Sequence, residues 1–401
     1  MRILVVHNYY GSENPSGENA VVDVEIDLLR RRGHEVEVFA RHSDTIRRRG
    51  VFGTLYGGLV APWNPFAVRA IKKCVRRFRP DVVHVHNTFP LISPAIFPAI
   101  GRQAARVLTL HNYRLFCAAA VLMRDGRPCM ECLQHRTTRP AVRHACYRDS
   151  HIATLPLATQ IALHRQLGTW QNEVDAFIVF TEFQRETVVG AGLPSAKVHV
   201  RPNFQAGSPC VVPWSQRNNT VAYVGRLTPE KGVEHLLRAW LAWGAEAPEL
   251  RVVGDGPLRG QFEALVKQSP GARVRFVGGL SLDGALGEIG SAKLLVLPST
   301  CIEGFPLVLK EAFALGTPAA VSNLGPLPTI VRSGVNGLVF ESASAASLLA
   351  SVRGAWEDAG RLEQLGRSAR VTYENQYTEE ISYARLMQIY QIAASRLTGS
   401  P

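Results

Sequence analysis

Short apolar runs, each ending at a polar residue or a glycine and each followed by a longer stretch of helical periodicity, constrain this chain more than any other feature. RILVVHN (2–8) leads into ENAVVDVEIDLLRRRG, which reads as a helix stopped at Gly33, and GHEVEVFA then restarts a strand. That is a βαβ unit. DVVHVHN (81–87), ARVLTLHN (105–112) and VDAFIVFTE (174–182) continue the series. A second series, TVAYVG, LRVVGDG, VRFVGG, KLLVLPS and TPAAVSN, is separated by helix-like VEHLLRAWLAW, LRGQFEALVKQ and PLVLKEAFALG. Strands that alternate with helices predict parallel sheets covered on both faces.

At 401 residues the chain is too long for one ordinary core, and two domains follow. The proline-punctuated stretch RPNFQAGSPCVVPWSQRNN (201–219) marks their junction. The expected division is a first domain over 1–203 with a Cys-rich insertion at about 113–150, a linker over 204–219, a second domain over 220–375, and a C-terminal helix in 376–401 packing back on the first domain. Ligands of open α/β sheets bind beyond the carboxyl ends of the strands. Two such sheets are therefore expected to confront their loop edges across one cleft.

Hydrophobic residues at 46% and charged residues at 19% are globular composition and argue against disorder. LISPAIFPAI is too short and too interrupted by proline to cross a bilayer, and polar HNYYGSENPSG follows MRILVV too closely for a signal peptide. Both predict a cytoplasmic protein. The net charge of +12 gathers in part at Arg30–Arg32, Arg47–Arg49 and Lys72, Lys73, Arg76, Arg77 and Arg79. No zinc finger, RNP segment or basic zipper accompanies these clusters, so nucleic acid is not the expected partner. An anionic membrane surface is, at roughly 1 kcal/mol per cation.

VGRLTPEKG (224–232) places Arg226 and Lys231 just beyond the strand TVAYVG, which ends at Gly225. A rigid guanidinium fork and a compact ammonium on one loop suit a diphosphate; an exposed turn is the plainer alternative. Gly254 and Gly256 occupy the next strand end, with Pro257 where a helix could start and turn N–H groups toward an anion. In PSTCIEGFPLVLKEAFALG, Glu303 lies in a loop and Glu311 in the following helix, eight positions on. Carboxylates accept hydrogen bonds from vicinal hydroxyls, so one can hold a ribose and the other a sugar ring; the alternative is a pair of ordinary helix charges.

VGRLTPEKG, GDGPLRG and the Glu303–Glu311 pair, in that order, resemble the family 4 glycosyltransferases of GT-B fold, also described as glycosyl transferases group 1. GHEVEVFA, the RPNF segment and SGVNGLVFE (333–341) extend the resemblance over nearly the whole chain. The resemblance implies an α/β GT-B architecture of two Rossmann-like domains. It also implies a retaining transfer of hexose from a UDP-, GDP- or ADP-sugar to a polysaccharide, lipopolysaccharide or lipid-linked acceptor, at the inner face of the membrane. Carried over to this sequence, Arg226 and Lys231 would hold and stabilise the departing diphosphate, Glu311 the ribose and Glu303 the transferred sugar. The segment Gly304, Phe305, Pro306 and Leu307 would meet the distal phosphate and sugar. Gly225, Gly254 and Gly256 would border the donor, and Gly278, beside Val277, its base. The family's Gly-Gly pair after the first strand reads Ser16-Gly17 here, leaving Gly17 to permit close approach. His111 matches the histidine near the transferred sugar. No Asp-x-Asp pair ends a strand, so no metal cofactor is expected in catalysis.

Four of seven cysteines, Cys117, Cys129, Cys132 and Cys146, fall within thirty residues and include a Cys-x₂-Cys. Their spacing fits a structural zinc as well as free thiols. His84 and His86 face one side of a strand, as a metal pair or as core and cleft lining. Two rival functions remain at this point. A nucleotide-sugar epimerase of the same fold would change the sugar without acceptor. A non-catalytic basic scaffold for membrane or nucleic acid would bind in a salt-sensitive way with no nucleotide affinity.

Overall fold

In the computed structural model, which describes residues 1–11, 17–269, 271–358 and 360–398, the chain divides into two units. The first comprises Met1–Leu122, Cys129–Pro202 and the residues from Ser382 on; the second comprises Met123–Pro128 and Asn203–Ile381.

Strands β1 (Arg2–Tyr9), β2 (Glu35–His42), β3 (Val82–Val85) and β4 (Ala105–Thr109) open the first unit. A two-stranded hairpin, β5 (Met123–Arg124) and β6 (Arg127–Pro128), belongs to the second unit, and the first resumes with β7 (Ala176–Val179) and β8 (Val198–Val200). The sheet order is β2-β1-β3-β4-β7-β8, parallel throughout. Its central strands are buried along their whole length because helices cover both faces: all four residues of β3 and all five of β4 are buried. The helix Gly17–Arg31 lays Val22, Ile26 and Leu29 on Ile3, Val5 and Val107. The helix Glu379–Thr398 brings Leu386, Ile389, Tyr390 and Ala393 into that same core. The last elements of the chain thus complete the unit that the first elements begin.

The second unit holds β9 (Thr220–Val224), β10 (Glu249–Val253), β11 (Val274–Gly278), β12 (Leu294–Leu297), β13 (Ala319–Ser322) and β14 (Gly337–Phe340). They lie in the order β11-β10-β9-β12-β13-β14, again parallel. This is the strand order of a dinucleotide-binding sheet, with its reversal between β9 and β12. The helix Val233–Trp243 buries Leu236, Leu237 and Trp240 against this sheet. The Trp240 indole N–H donates to the Pro248 carbonyl at 2.9 Å, so the ring is buried without an unmet donor. The helix after β10 starts at Arg259 and not at Pro257, which sits two residues earlier in the turn.

Between β4 and the helix His151–Gln166 regular structure is sparse: the hairpin and the four- and five-residue helices Glu131–Gln134 and Arg139–Arg143. Among the described residues ten non-glycines have positive φ, and seven of them lie here, at Ala120, Leu122, Asp125, Arg136, Ala145, Arg148 and Asp149. Such conformations cost free energy and persist only where their surroundings enforce them. No helix among the described residues is long and apolar enough to cross a membrane.

Candidate active site

A reversal in strand order opens a crevice between two neighbouring loops, and in the second unit those loops follow β9 and β12. Backbone contacts knit them together. Gly232 has φ +65°, and a Cβ there would lie 2.0 Å from the Pro298 carbonyl oxygen. Thr300 N–H donates to Glu230 O at 3.0 Å. One strand over, Gly254 has φ +132°, and its Cβ would meet Gly225 O at 2.0 Å. Leu227 N–H reaches Asp255 O at 2.9 Å, and Gly254 N–H reaches Gly278 O at 2.8 Å. Glycine is required at these positions because backbone passes over backbone where a side chain has no room.

Within this frame Lys231 donates to Glu303 Oε1 at 2.6 Å, and Ser299 Oγ donates to the same oxygen at 2.7 Å. Both partners are largely enclosed. Burial works against the Lys231 charge, but the Glu303 carboxylate outweighs it and holds the ammonium's pKa above its ordinary value. Arg226 stands further out, 73% exposed, with Nη2 3.4 Å from Glu230 Oε1. Its carbonyl accepts from the Tyr223 hydroxyl at 2.8 Å, which fixes the backbone while leaving the guanidinium exposed. The helix Leu307–Ala314 begins after Pro306 with no side-chain cap. Its leading N–H groups therefore lack the partner that a Ser or Asp would supply. One turn on, Glu311 Oε1 lies 3.2 Å from Lys310 Nζ, which also donates to Gln205 Oε1 at 2.7 Å. Burial lowers the Lys310 pKa despite that carboxylate. The geometry thus joins Lys231 to Glu303 and Glu311 to Lys310, and pairs Arg226 with Glu230.

In the first unit His111 follows β4, and its Nε2 is 3.0 Å from His86 Nδ1. On the far side, His86 Nε2 lies 3.2 Å from Glu25 Oε1, off the alignment of a full hydrogen bond, and His84 Nδ1 lies 3.0 Å from that oxygen. Arg201 pairs with the other Glu25 oxygen. Burial opposes the Glu25 charge, yet Arg201 and His84 hold its pKa well below the ordinary carboxylate value. Desolvation pulls His86 down to about 4 and His111 well below 6.5. Both rings are neutral at pH 7, and the ionised carboxylate fixes their tautomers: a proton on His86 Nε2 faces Glu25, so His86 Nδ1 accepts from His111 Nε2–H. His111 Nδ1 is left as an acceptor. Glu25, His84 and His86 form the one group of three among the described residues with ligand atoms within 4.8 Å of one another. Arg201 already supplies the positive charge that a metal would bring there. Gly17 is the exposed first residue of its helix; Ser16 lies outside the described residues.

The described geometry can be set beside known proteins. Residues 16–204 match the family described as Glycosyltransferase Family 4, and residues 211–372 match Glycosyl transferases group 1. A glycogen synthase of Mycobacterium tuberculosis is 34% identical over 340 residues, which cover 81% of this chain and 72% of that one. This chain belongs to the family 4 glycosyltransferases. The glycosyltransferase is also 29% identical, over 350 residues, to a 2-deoxystreptamine N-acetyl-D-glucosaminyltransferase of Streptomyces fradiae, covering 85% of this chain and 78% of the relative. Among solved structures, sucrose-phosphate synthase from Thermosynechococcus elongatus superposes with a TM-score of 0.69 at 20% identity, covering 97% and 98% of the two chains. Anabaena Alr3699/HepE in complex with UDP-glucose superposes at 0.63 and 17% identity over the full length of both. The fold is GT-B, and the protein is an enzyme of the glycosyl-transferring class.

The four cysteines of this glycosyltransferase's insertion form no disulfide. Cys117, Cys129 and Cys146 stand close enough to Cys132 to oppose its ionisation; with burial as the larger cause, its pKa is pushed up to about 11. Their sulfurs do not form a group of three within 4.8 Å among the described residues. Backbone N–H groups nevertheless point at sulfur: those of Leu122, Ala120 and Ala119 at Cys117, and that of Ala141 at Cys132. Several contacts escaped the sequence, among them Ser299 on Glu303, Lys310 beside Glu311, and Asn19, whose side chain joins His7 Nε2 at 3.0 Å to the Tyr10 carbonyl at 2.9 Å. Lys310 had a signal, its adjacency to Glu311; Ser299 and Asn19 had none.

Proposed function

We propose that this glycosyltransferase moves a hexose from a nucleoside diphosphate sugar, with retention of anomeric configuration, to a polysaccharide, lipopolysaccharide or lipid-linked acceptor. The observation that carries the proposal is the enclosed Lys231–Glu303 pair on the loops that flank the reversal of the second sheet. A buried ammonium kept charged by one carboxylate is prepared to stabilise a departing diphosphate, because it needs no reorganisation when the negative charge develops. Arg226, exposed and loosely paired, adds a fork that closes on the distal oxygens. Glu303 would then accept from sugar hydroxyls and Glu311 from the ribose, while the uncapped helix start at Gly304–Leu307 offers N–H groups to a phosphate. Gly278 would border the base. His111, with Nδ1 as acceptor, suits a sugar hydroxyl. A UDP-glucose complex of a protein with the same fold favours a uridine donor over GDP or ADP. A lipid-linked acceptor would be met at the cytoplasmic face of a membrane.

Thermal unfolding against UDP, GDP, ADP and their sugars tests this directly. One nucleotide is expected to raise the melting temperature of the wild type and not of Lys231→Ala, since stabilisation grows with ligand over dissociation constant. Arg226→Ala should retain binding and lose about 10²–10³ in kcat, with turnover indifferent to a chelator. A protein that no nucleotide stabilises would refute the assignment.

The insertion is proposed to hold a structural zinc on Cys117, Cys129, Cys132 and Cys146. Cys117, Cys129 and Cys146 lie near enough to Cys132 to act on its charge, and backbone N–H groups aimed at Cys117 and Cys132 are the partners that favour thiolates. Such a metal would fold the insertion and take no part in transfer.

A further inference from the structure

The helix Gly50–Val60 is packed with its small side inward. Val51, Phe52, Leu55 and Leu59 are 75%, 83%, 57% and 80% exposed, and their spacing puts them on one face. Gly53, Gly57 and Val60 occupy the other and are buried. The glycines seat the helix: a Cβ at Gly53 would lie 2.1 Å from the Ile46 carbonyl oxygen, and one at Gly57 would lie 2.9 Å from Ile46 Cδ1. A helix on a water-soluble surface normally buries its bulky apolar stripe, so this one is laid out for a different medium. Its apolar face does not end at Val60. A Cβ on Gly58 would touch Pro156 at 3.3 Å, and Ile152, one turn before that proline in the helix His151–Gln166, is 81% exposed. Phe66, at the start of the helix Pro65–Phe78, is 63% exposed. Bulky apolar residues left exposed together on one helix face mark an interaction site.

Exposed cations flank it in the chain. Arg48 and Arg49 immediately precede the helix, and Arg69, Lys72, Lys73 and Arg76 are exposed on the helix Pro65–Phe78, which begins five residues after Val60. Among the described residues none of these six has an acidic partner. We propose that this face docks on an anionic lipid bilayer, with the bulky residues of Gly50–Val60 entering the boundary between headgroups and acyl chains and the six cations meeting lipid phosphates. A helix of 11 residues is about 16 Å long, against the roughly 30 Å of a hydrocarbon core, so it lies in the surface and does not cross it. A second copy of the chain would bring the same six cations against one another. The inference draws on the proposed function only for the acceptor that such docking would bring within reach, and vesicle binding is read without turnover, so each can fail alone.

The full chain is to be sedimented with vesicles of phosphatidylcholine alone and with vesicles also containing phosphatidylglycerol. Wild type should bind the anionic vesicles at least about tenfold more tightly, with binding that weakens as salt rises. Phe52→Ser with Leu59→Ser, and separately Arg48→Glu with Lys73→Glu, should each lose about tenfold or more at an unchanged melting temperature. Should a variant fail to fold, hydrogen exchange on wild type decides: anionic vesicles should protect residues 50–66. Equal binding by wild type and both variants overturns the proposal, as does absent protection. A vesicle-free dimer in sedimentation velocity that Phe52→Ser with Leu59→Ser dissolves also overturns it, and gives the face to a second copy.

Discussion

His86 shows how much one buried ring can contribute to the pH response of the first unit. Its pKa in the folded chain is about 4, against an ordinary 6.5. Between those values the unfolded chain takes up a proton that the folded chain refuses, so stability declines as pH falls across that window and is unaffected above it. Glu25 acts in the same direction at lower pH: its depressed pKa contributes stability above the unfolded carboxylate value, lost as pH falls through the folded one. Melting temperatures of wild type and His86→Gln should therefore draw together as pH is lowered from 7 toward 4; parallel curves would show that His86 titrates normally. His84 and His86 were recognisable as sharing a strand face, because alternation is written in DVVHVHN. Their meeting with Glu25 and Arg201 was not, because it joins residues far apart in the chain. Arg226, Lys231, Glu303 and Glu311 could be found as residue types at strand ends. Which acid faces which base could not, since that depends on how two loops cross.

At the scale of elements, the insertion between β4 and the helix His151–Gln166 combines seven left-handed non-glycine residues with helices too short to bury much apolar surface. A stretch of this kind needs a staple. Purified protein should carry about one zinc per chain, lost in Cys129→Ser together with several degrees of melting temperature; wild-type protein purified without metal would dismiss the ion. The cysteines were visible because spacing is a property of sequence. The helix Gly50–Val60 went unread for the opposite reason. Apolar periodicity is interpreted on the premise that bulky residues face the core, and GVFGTLYGGLV reverses that premise by packing glycines inward. The paired Gly53 and Gly57, four apart, were the available signal. Pro257 misled for a smaller reason: proline fits the first turn of a helix but equally fits the turn that precedes one.

For the molecule as a whole, the two parallel sheets were legible because strands buried on both faces announce themselves as unbroken apolar runs, as in β7 and β12. Their strand orders were not, since each depends on crossovers that no local pattern encodes. The helix Glu379–Thr398 belongs to the first unit's core although Asn203–Ile381 intervene. Ending the chain at Thr378 removes Leu386, Ile389 and Tyr390 from that core, each worth about 1.5–3 kcal/mol, against a whole-domain stability of about 5–15 kcal/mol. The shortened protein should lose near-ultraviolet dichroism and solubility; retention of both would show that the first unit stands without the helix. On the ribosome the same arrangement sets an order of events. The amino-terminal half emerges early but must wait for the final residues before its sheet is covered, a delay of roughly ten to forty seconds at ordinary elongation rates. During that interval its naked apolar flank is a natural client for a chaperone.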